Sequence, residues 1–131
     1  MKRHEQAALL LRKAAQDEAL LDEVIGSVKV ADEVIGFHCQ QAAEKMLKAL
    51  LSAAGGALRK THDLRTLMEG LAAAGEPLPP EFDSLDAFTP FASVYRYEDF
   101  DFGIAFDRSE ARILLRSLRA WCEQRLEALR G

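Results

Sequence analysis

The sequence predicts an all-α protein, an antiparallel four/five-helix up-and-down bundle that forms a single domain over residues 1–131. Apolar residues recur at steps of three and four along most of the chain, the spacing that places them on one face of a helix. Only four prolines and eight glycines are present to interrupt this pattern. Long helices joined by short turns can bury their apolar faces together only as a bundle, and 131 residues are enough for one such core.

Two long helices are predicted in the first half of the chain. The first runs from about His4 to Ile25 and ends at Gly26-Ser27. The second runs from about Val30 to Ala54 and ends at two adjacent glycines, Gly55 and Gly56. Each carries one continuous apolar stripe, so we expect the two helices to pack against each other.

Shorter elements are predicted in the middle of the chain. A helix from about Asp63 to Ala74 precedes the break "GEPLPP" at residues 75–80, and a brief helical piece follows from about Glu81 to Phe88. Thr89-Pro90 has the pattern of an N-cap followed by a proline in the first helical turn. We therefore expect another turn or two to start there and to continue through Tyr95.

The last predicted helix runs from about Asp107 to Leu129. Asp107 is followed three residues later by Glu110, the spacing of a capping box at a helix start. The basic side chains Arg112, Arg116 and Arg119 recur at helical spacing. Such a row is a solvated outer face or a track that binds RNA, and in an acidic protein we expect the solvated face.

Composition and charge exclude several classes of function. The net charge is −4, so no general positive field favours nucleic acid, and any RNA contact must be local. Cys39 and Cys122 lie far apart, and the three histidines lack the spacing of zinc ligands. No apolar run approaches the roughly 20 residues that span a bilayer. We expect a cytoplasmic protein with no membrane contact, no metal and no cofactor.

A group of polar residues interrupts the apolar stripes of the first two helices. Asp17 falls in the middle of the first stripe, where a carboxylate needs a partner. The second helix carries a row of polar residues at the border of its apolar face: His38, Gln41, Lys45 and Lys48. This row, together with Arg96, could supply the partner of Asp17. Two interpretations stay open, a structural polar network at the edge of the bundle and a ligand site.

His62 is a second polar candidate, at the point where the "ALRKTHD" loop turns into the third helix. Its ring could stabilise that helix start, or it could belong to a site. Both interpretations stay open here as well.

Three stretches of the sequence together resemble a known family. "FHCQQAAEKMLKALLSAAGG", "THDLRTLMEGL" and "TPFASVYRYED" occur in the order and approximate spacing of the HEPN domain of prokaryotes. The resemblance covers nearly the whole chain. It implies a helical bundle, usually a homodimer, that is commonly encoded beside a minimal nucleotidyltransferase in a toxin–antitoxin-like pair.

Many HEPN proteins are metal-independent ribonucleases in which an arginine is followed, after four to six residues, by a histidine. Arg96 matches the family's functional arginine by position, and Tyr97 follows it, but the residues at the required distances are Asp101, Phe102 and Gly103. The chain is similar instead to a subgroup with an Arg-Tyr-Pro triplet, although Glu98 stands where proline is usual. The resemblance without the histidine therefore implies an interaction module, in which Arg96 has a structural or interface role, or a protein that binds nucleotide or RNA. The alternative is a nuclease using Arg96 and Tyr97 with His38 or His62.

Aromatic residues crowd one segment of the chain. Six of the seven phenylalanines and both tyrosines lie between Phe82 and Phe106, a stretch with poor helical periodicity. We expect part of this apolar surface to meet a second copy of the chain, with Phe91 and Phe102 at the dimer interface.

Overall fold

The structure is a computed structural model that describes residues 2–58, 60–92 and 106–130. Within these residues there are five helical elements and no strand: α1 (Arg3–Val24), α2 (Asp32–Ala53), α3 (Leu64–Ala73), a 3₁₀ segment (Pro80–Ala92) and α4 (Arg108–Arg130). The predicted all-α bundle is confirmed. None of the helices in the described ranges is long and apolar enough to cross a bilayer.

The second helix, α2, lies at the centre of the bundle and contacts each of the other four elements. Fourteen of its 22 residues are buried, far more than one amphipathic stripe would bury. The buried set includes Cys39, Met46 and Leu50 from the predicted apolar side, and also the polar residues Gln40 and Glu44. Because neighbours surround α2, polar side chains on its flanks are drawn into the interior.

A glycine directly follows the C-cap residue of α2 and of α3 and ends each helix, as the sequence predicts for α2. Gly55 and Gly75 have φ angles of +79° and +88°, a left-handed conformation that glycine adopts without strain. The Gly56 N–H donates to the Leu51 carbonyl at 2.9 Å, and the Glu76 N–H donates to the Leu71 carbonyl at 2.8 Å. These are the long-range bonds of Schellman motifs, which satisfy carbonyls that a helix end leaves without partners.

The start of α4 follows the predicted capping pattern. The Glu110 N–H donates to Oδ1 of Asp107 at 3.0 Å, so Asp107 caps the helix that begins at Arg108.

The prediction of two separate helical pieces within residues 81–95 is wrong. One continuous 3₁₀ segment spans Pro80–Ala92 with Pro90 inside it, where we expected a break before Thr89. Oγ1 of Thr89 accepts a hydrogen bond from the N–H of Leu64 at 3.2 Å. Asp63 is the N-cap of α3, and its side chain accepts from the N–H of Arg65 at 3.0 Å. Thr89 adds a second acceptor at this helix start, whose first N–H groups have no partner within the helix, and it does not start a turn of its own. Tyr95 lies outside the described residues.

The Thr89 hydrogen bond predicts a measurable loss. Thr89→Val keeps the side-chain shape but removes the acceptor for the Leu64 N–H, so we expect the free energy of unfolding to fall by about 0.5–2 kcal/mol. Chemical denaturation followed by circular dichroism measures the change. Thr66→Val, within α3, is the control, and an equal loss in both variants would contradict a capping role for Thr89.

The expected position of Phe91 at a partner surface is also wrong. Phe82, Phe88 and Phe91 are all buried against their own bundle, and Phe91 is only 3% exposed. The Phe91 ring lies directly over Gly36 of α2, where the missing side chain leaves room for it. It also packs against Phe106, with the ring centroids 5.3 Å apart. Phe102 lies outside the described residues, and dimerisation itself stays a prediction.

The expected solvated face of α4 is wrong for Arg112. Arg112 is only 8% exposed, and its guanidinium binds Glu18 and Asp22 of α1. Arg119 is also largely covered and binds Glu18, whereas the side chain of Arg116 is 61% exposed. The helical spacing of these arginines is compatible with an exposed or a buried position. Arg112 and Arg119 are covered because they bind acidic residues of α1, and for Arg112 these lie about 90 residues away in the sequence.

Candidate functional site

A group of polar side chains, joined in two hydrogen-bonded clusters, runs along one flank of α2. We call it the polar strip: Asp17 of α1; His38, Gln40, Gln41, Glu44, Lys45 and Lys48 of α2; and His62, just before α3. It lies between α1 and the start of α3, at the border of the α2 core face. Its helical members recur every three to four residues, so they share one side of α2.

Asp17 forms one end of the strip. It is buried in the middle of α1, and its Oδ1 accepts a hydrogen bond from Nδ1 of His38 at 2.9 Å. Its Oδ2 accepts from Nζ of Lys45. Two of the residues proposed from the sequence thus partner this carboxylate, and together they tie α1 to α2.

Glu44 forms the other end of the strip. Its side chain is 8% exposed, and three donors surround its carboxylate. Oε1 accepts from Nε2 of Gln40 at 2.9 Å and from Nδ1 of His62 at 2.7 Å, and Oε2 accepts from Nζ of Lys48 at 2.9 Å. Gln40 also donates to the backbone carbonyl of His62 and accepts from Gln41. This arrangement fixes the loop before α3 against the middle of α2.

The surroundings of Glu44 lower its pKa. Burial alone would raise it, but the hydrogen bonds from Gln40, Lys48 and His62 and the charge of Lys48 together outweigh burial, so the pKa lies below the ordinary value of 4.5. The pKa of Asp22 is also lowered, chiefly by its hydrogen bond from Arg112. Both carboxylates are therefore ionised in the folded protein at neutral pH.

These lowered values predict acid destabilisation. A carboxylate whose folded-state pKa is depressed contributes stability above its unfolded-state pKa, and this contribution is lost as the pH falls through the folded-state value. We expect the stability difference between the wild type and Glu44→Gln to be largest at neutral pH and to shrink below about pH 4.5, the ordinary glutamate value. Urea denaturation at several pH values measures it, and a difference that does not vary with pH would contradict this account of Glu44.

The two histidines of the strip are oriented in the same way. Each presents Nδ1 to a carboxylate, and because a carboxylate only accepts, Nδ1 carries the hydrogen and Nε2 is the acceptor in the neutral ring. The His62 side chain is 69% exposed, whereas that of His38 is largely covered. A carboxylate-oriented imidazole is the arrangement that general acid–base catalysis uses. The strip thus contains groups that could transfer a proton.

The cysteines and the acidic residues outside the strip are less suited to catalysis or metal binding in the described residues. Burial raises the pKa of both Cys39 and Cys122 to about 12, so neither is a thiolate at neutral pH. Within residues 2–58, 60–92 and 106–130, no cluster of three or more His, Cys, Asp or Glu side chains could hold a metal ion.

Some residues of the polar strip were predicted from the sequence, and others were not. Asp17, His38, Gln41, Lys45 and His62 were all candidates, and the structure brings Asp17, His38 and Lys45 into direct contact. Gln40 and Glu44 were missed, although Gln40, Glu44 and Lys48 follow one another at four-residue steps, the spacing of side chains that meet on a helix. Arg96 and Tyr97 lie outside the described residues.

The comparison with protein families agrees with the sequence motifs. A family model described as HEPN domain matches residues 7–127 of the 131, a range that includes the whole polar strip. No curated protein and no solved structure matches the chain significantly. The family match supports a nucleotide- or RNA-related or toxin-like function in general terms. Since the match spans far more than half of the sequence, the chain belongs to the HEPN domain family.

Proposed function

We propose that the chain is a HEPN interaction module that forms a homodimer and pairs with a minimal nucleotidyltransferase in a cytoplasmic toxin–antitoxin-like module. In this role it binds a partner protein, or a nucleotide or RNA ligand, and does not cut RNA. The observation that carries the non-cleaving part of this role is the internal pairing of the polar strip: Lys45 is bound by Asp17 and Lys48 by Glu44. The membership of the HEPN family supports the rest of the proposal.

This pairing argues against a phosphodiester-cleaving centre. Such a centre needs positive charge available to the phosphate, but the two lysines of the strip face two carboxylates that already bind them. No buried side-chain nitrogen or oxygen in the described part of the chain lacks a hydrogen-bond partner. The strip thus resembles a completed structural network that holds α1, α2 and the start of α3 together. The sequence also lacks a histidine four to six residues after any arginine.

Co-purification tests the proposed partnership. The tagged chain is expressed with the nucleotidyltransferase encoded beside its gene, and the two proteins are expected to elute together in a fixed ratio. An unrelated small nucleotidyltransferase is the control and should not be retained. A chain that elutes as a monomer and retains neither enzyme would contradict the proposal.

A metal-independent endoribonuclease is the second candidate, and the orientation of the two histidines favours it. His38 and His62 each have Nε2 as the acceptor, as a general base requires. If this candidate is correct, His62→Ala or Arg96→Ala abolishes RNA cleavage while the helical content is unchanged. Cleavage that persists in both variants would point to a contaminating nuclease and would remove this candidate.

A further inference from the structure

His62 is exposed to solvent and yet held in place by buried partners. Its side chain is 69% exposed, but Nδ1 donates to Oε1 of Glu44 at 2.7 Å, and the His62 backbone carbonyl accepts from Nε2 of Gln40 at 2.9 Å. Gln40 is fully covered and Glu44 is 6% exposed. Ordering an exposed side chain costs conformational entropy, so a ligand binds an already ordered group more favourably. The ring of His62 is therefore preorganised for binding.

The other histidine of the polar strip is less accessible. The side chain of His38 is 24% exposed, and its ring packs edge-on against that of Phe37, with the centroids 5.2 Å apart. Of the two rings, His62 is therefore the one that offers both an edge and a face to a ligand.

Glu44 determines which ring nitrogen of His62 a ligand meets. The lowered pKa of Glu44 keeps it ionised at neutral pH, and an ionised carboxylate only accepts hydrogen bonds. Nδ1 therefore carries the hydrogen, and in the neutral ring Nε2 has a free lone pair. Because the two nitrogens point to different sides of the ring, Nε2 points away from Glu44. The exposed edge of the ring is thus a hydrogen-bond acceptor.

The charges around the ring favour an uncharged group over a phosphate as its partner. A neutral ring has no hydrogen at Nε2 to donate to a phosphate oxygen. Lys48 is already bound by Glu44, and the acidic residue Asp63 follows His62 on the exposed side of the chain. Lys60, exposed two residues before the ring, is a better partner for a phosphate. A base N–H or a ribose O–H can instead donate to Nε2, and a base can stack on the imidazole face.

We propose that His62 binds a base or a ribose of single-stranded RNA, and not its phosphate, with Nε2 accepting a hydrogen bond from the ligand. The inference rests on the RNA-binding branch of the proposed function and names the part of the ligand that the polar strip recognises. Gln40 and Glu44 are positioning residues, since they fix the backbone and the ring of His62 without facing the ligand.

His62→Asn and His62→Ala test this contact. Asparagine retains an N–H donor close to the position of Nδ1, so it can still bind Glu44, but it lacks the outer half of the ring. We expect both variants to bind a labelled single-stranded RNA of mixed sequence about tenfold more weakly than the wild type, with His62→Asn close to wild-type stability. Fluorescence anisotropy measures binding, and denaturant unfolding measures stability. His4→Ala, at the start of α1, is the matched control and should bind like the wild type.

The salt dependence of binding identifies the part of the RNA that His62 contacts. The logarithm of the association constant falls linearly with the logarithm of the salt concentration, with a slope set by the number of phosphates contacted. We expect His62→Asn to lower the affinity without changing this slope. A slope that is shallower by about 0.7, the contribution of one phosphate on a single strand, would overturn the assignment to base or ribose.

The same sequence as DNA identifies the donor on the ligand. A loss in His62→Asn that is confined to RNA indicates a ribose 2′-OH, and an equal loss with RNA and DNA indicates a base. Either result supports the inference.

The remaining outcomes separate this inference from the proposed function. A wild type that binds no RNA, whether or not it retains the nucleotidyltransferase, overturns the RNA-binding branch and the inference with it. A wild type that binds RNA and is matched by His62→Asn overturns the inference alone. A loss in His62→Ala without a loss in His62→Asn also overturns it, because the role of His62 would then be to hold the loop against Glu44.

Discussion

Replacing Gly36 by alanine is expected to destabilise the protein, although alanine is the better helix former. A Cβ atom at this position would lie 2.2 Å from Cδ1 and 2.5 Å from Cγ of Phe91, far inside any real contact distance. The ring of Phe91 would have to leave its place on α2, and the 3₁₀ segment would move with it. We expect a net loss of about 1–3 kcal/mol in the free energy of unfolding, after the helix-propensity gain of up to about 1 kcal/mol.

The same substitution at Gly70 is the matched control. Gly70 lies inside α3, and a Cβ atom there would meet only Leu51 side-chain atoms at 3.8 and 3.9 Å, an ordinary contact. Gly70→Ala should therefore stabilise the protein by about 0.5–1 kcal/mol. Denaturant titration of both variants shows whether each substitution raises or lowers the free energy of unfolding. A stabilised Gly36→Ala variant would contradict the packing of Phe91 against α2.

Glu44→Ala is expected to cause the larger of the two losses. The substitution removes the single acceptor that Gln40, Lys48 and His62 share, and it leaves Lys48 without its partner in a largely covered position. Breaking a fully buried pair costs about 3–5 kcal/mol, but His62 is exposed and can bind water instead. We therefore expect a loss of about 2–3 kcal/mol in the free energy of unfolding.

An exposed glutamate serves as the control for Glu44. Glu127→Ala removes the same side chain from the surface of α4 and should change stability by less than about 0.5 kcal/mol. Thermal and denaturant unfolding of both variants measures the difference. Equal stabilities would mean that the contacts of Glu44 contribute nothing to the fold.

The helices could be predicted because their signals are local. The apolar periodicity, the glycine pair at Gly55 and Gly56 and the Asp107–Glu110 cap each act within a few residues. The structure departed from prediction where a distant residue decides the outcome. Thr89 binds the first N–H of a helix 25 residues earlier in the chain, and Arg112 is buried because acids of α1 bind it. Such partners are brought together only by the tertiary fold.

The candidate site divides in the same way. An apolar stripe interrupted by Asp17 signals a buried carboxylate, and the periodicity of α2 identified His38 and Lys45 as groups within reach of it. Nothing in the sequence marks Glu44 as buried, because a glutamate on a helix is usually exposed. It is buried because the other helices surround α2 in the structure. The role of Phe91 was hidden for a related reason, since only the structure places Gly36 beneath its ring.

The central claim is that this HEPN protein is an interaction module whose polar strip is internally paired and does not cut RNA. An RNA cleavage assay in the presence of EDTA tests it most directly. Labelled single-stranded RNA is incubated with excess purified chain and separated on a denaturing gel. The account predicts that the RNA stays full length. RNA that is cut by the wild type, and not by His38→Ala or His62→Ala preparations of equal helicity, would contradict it.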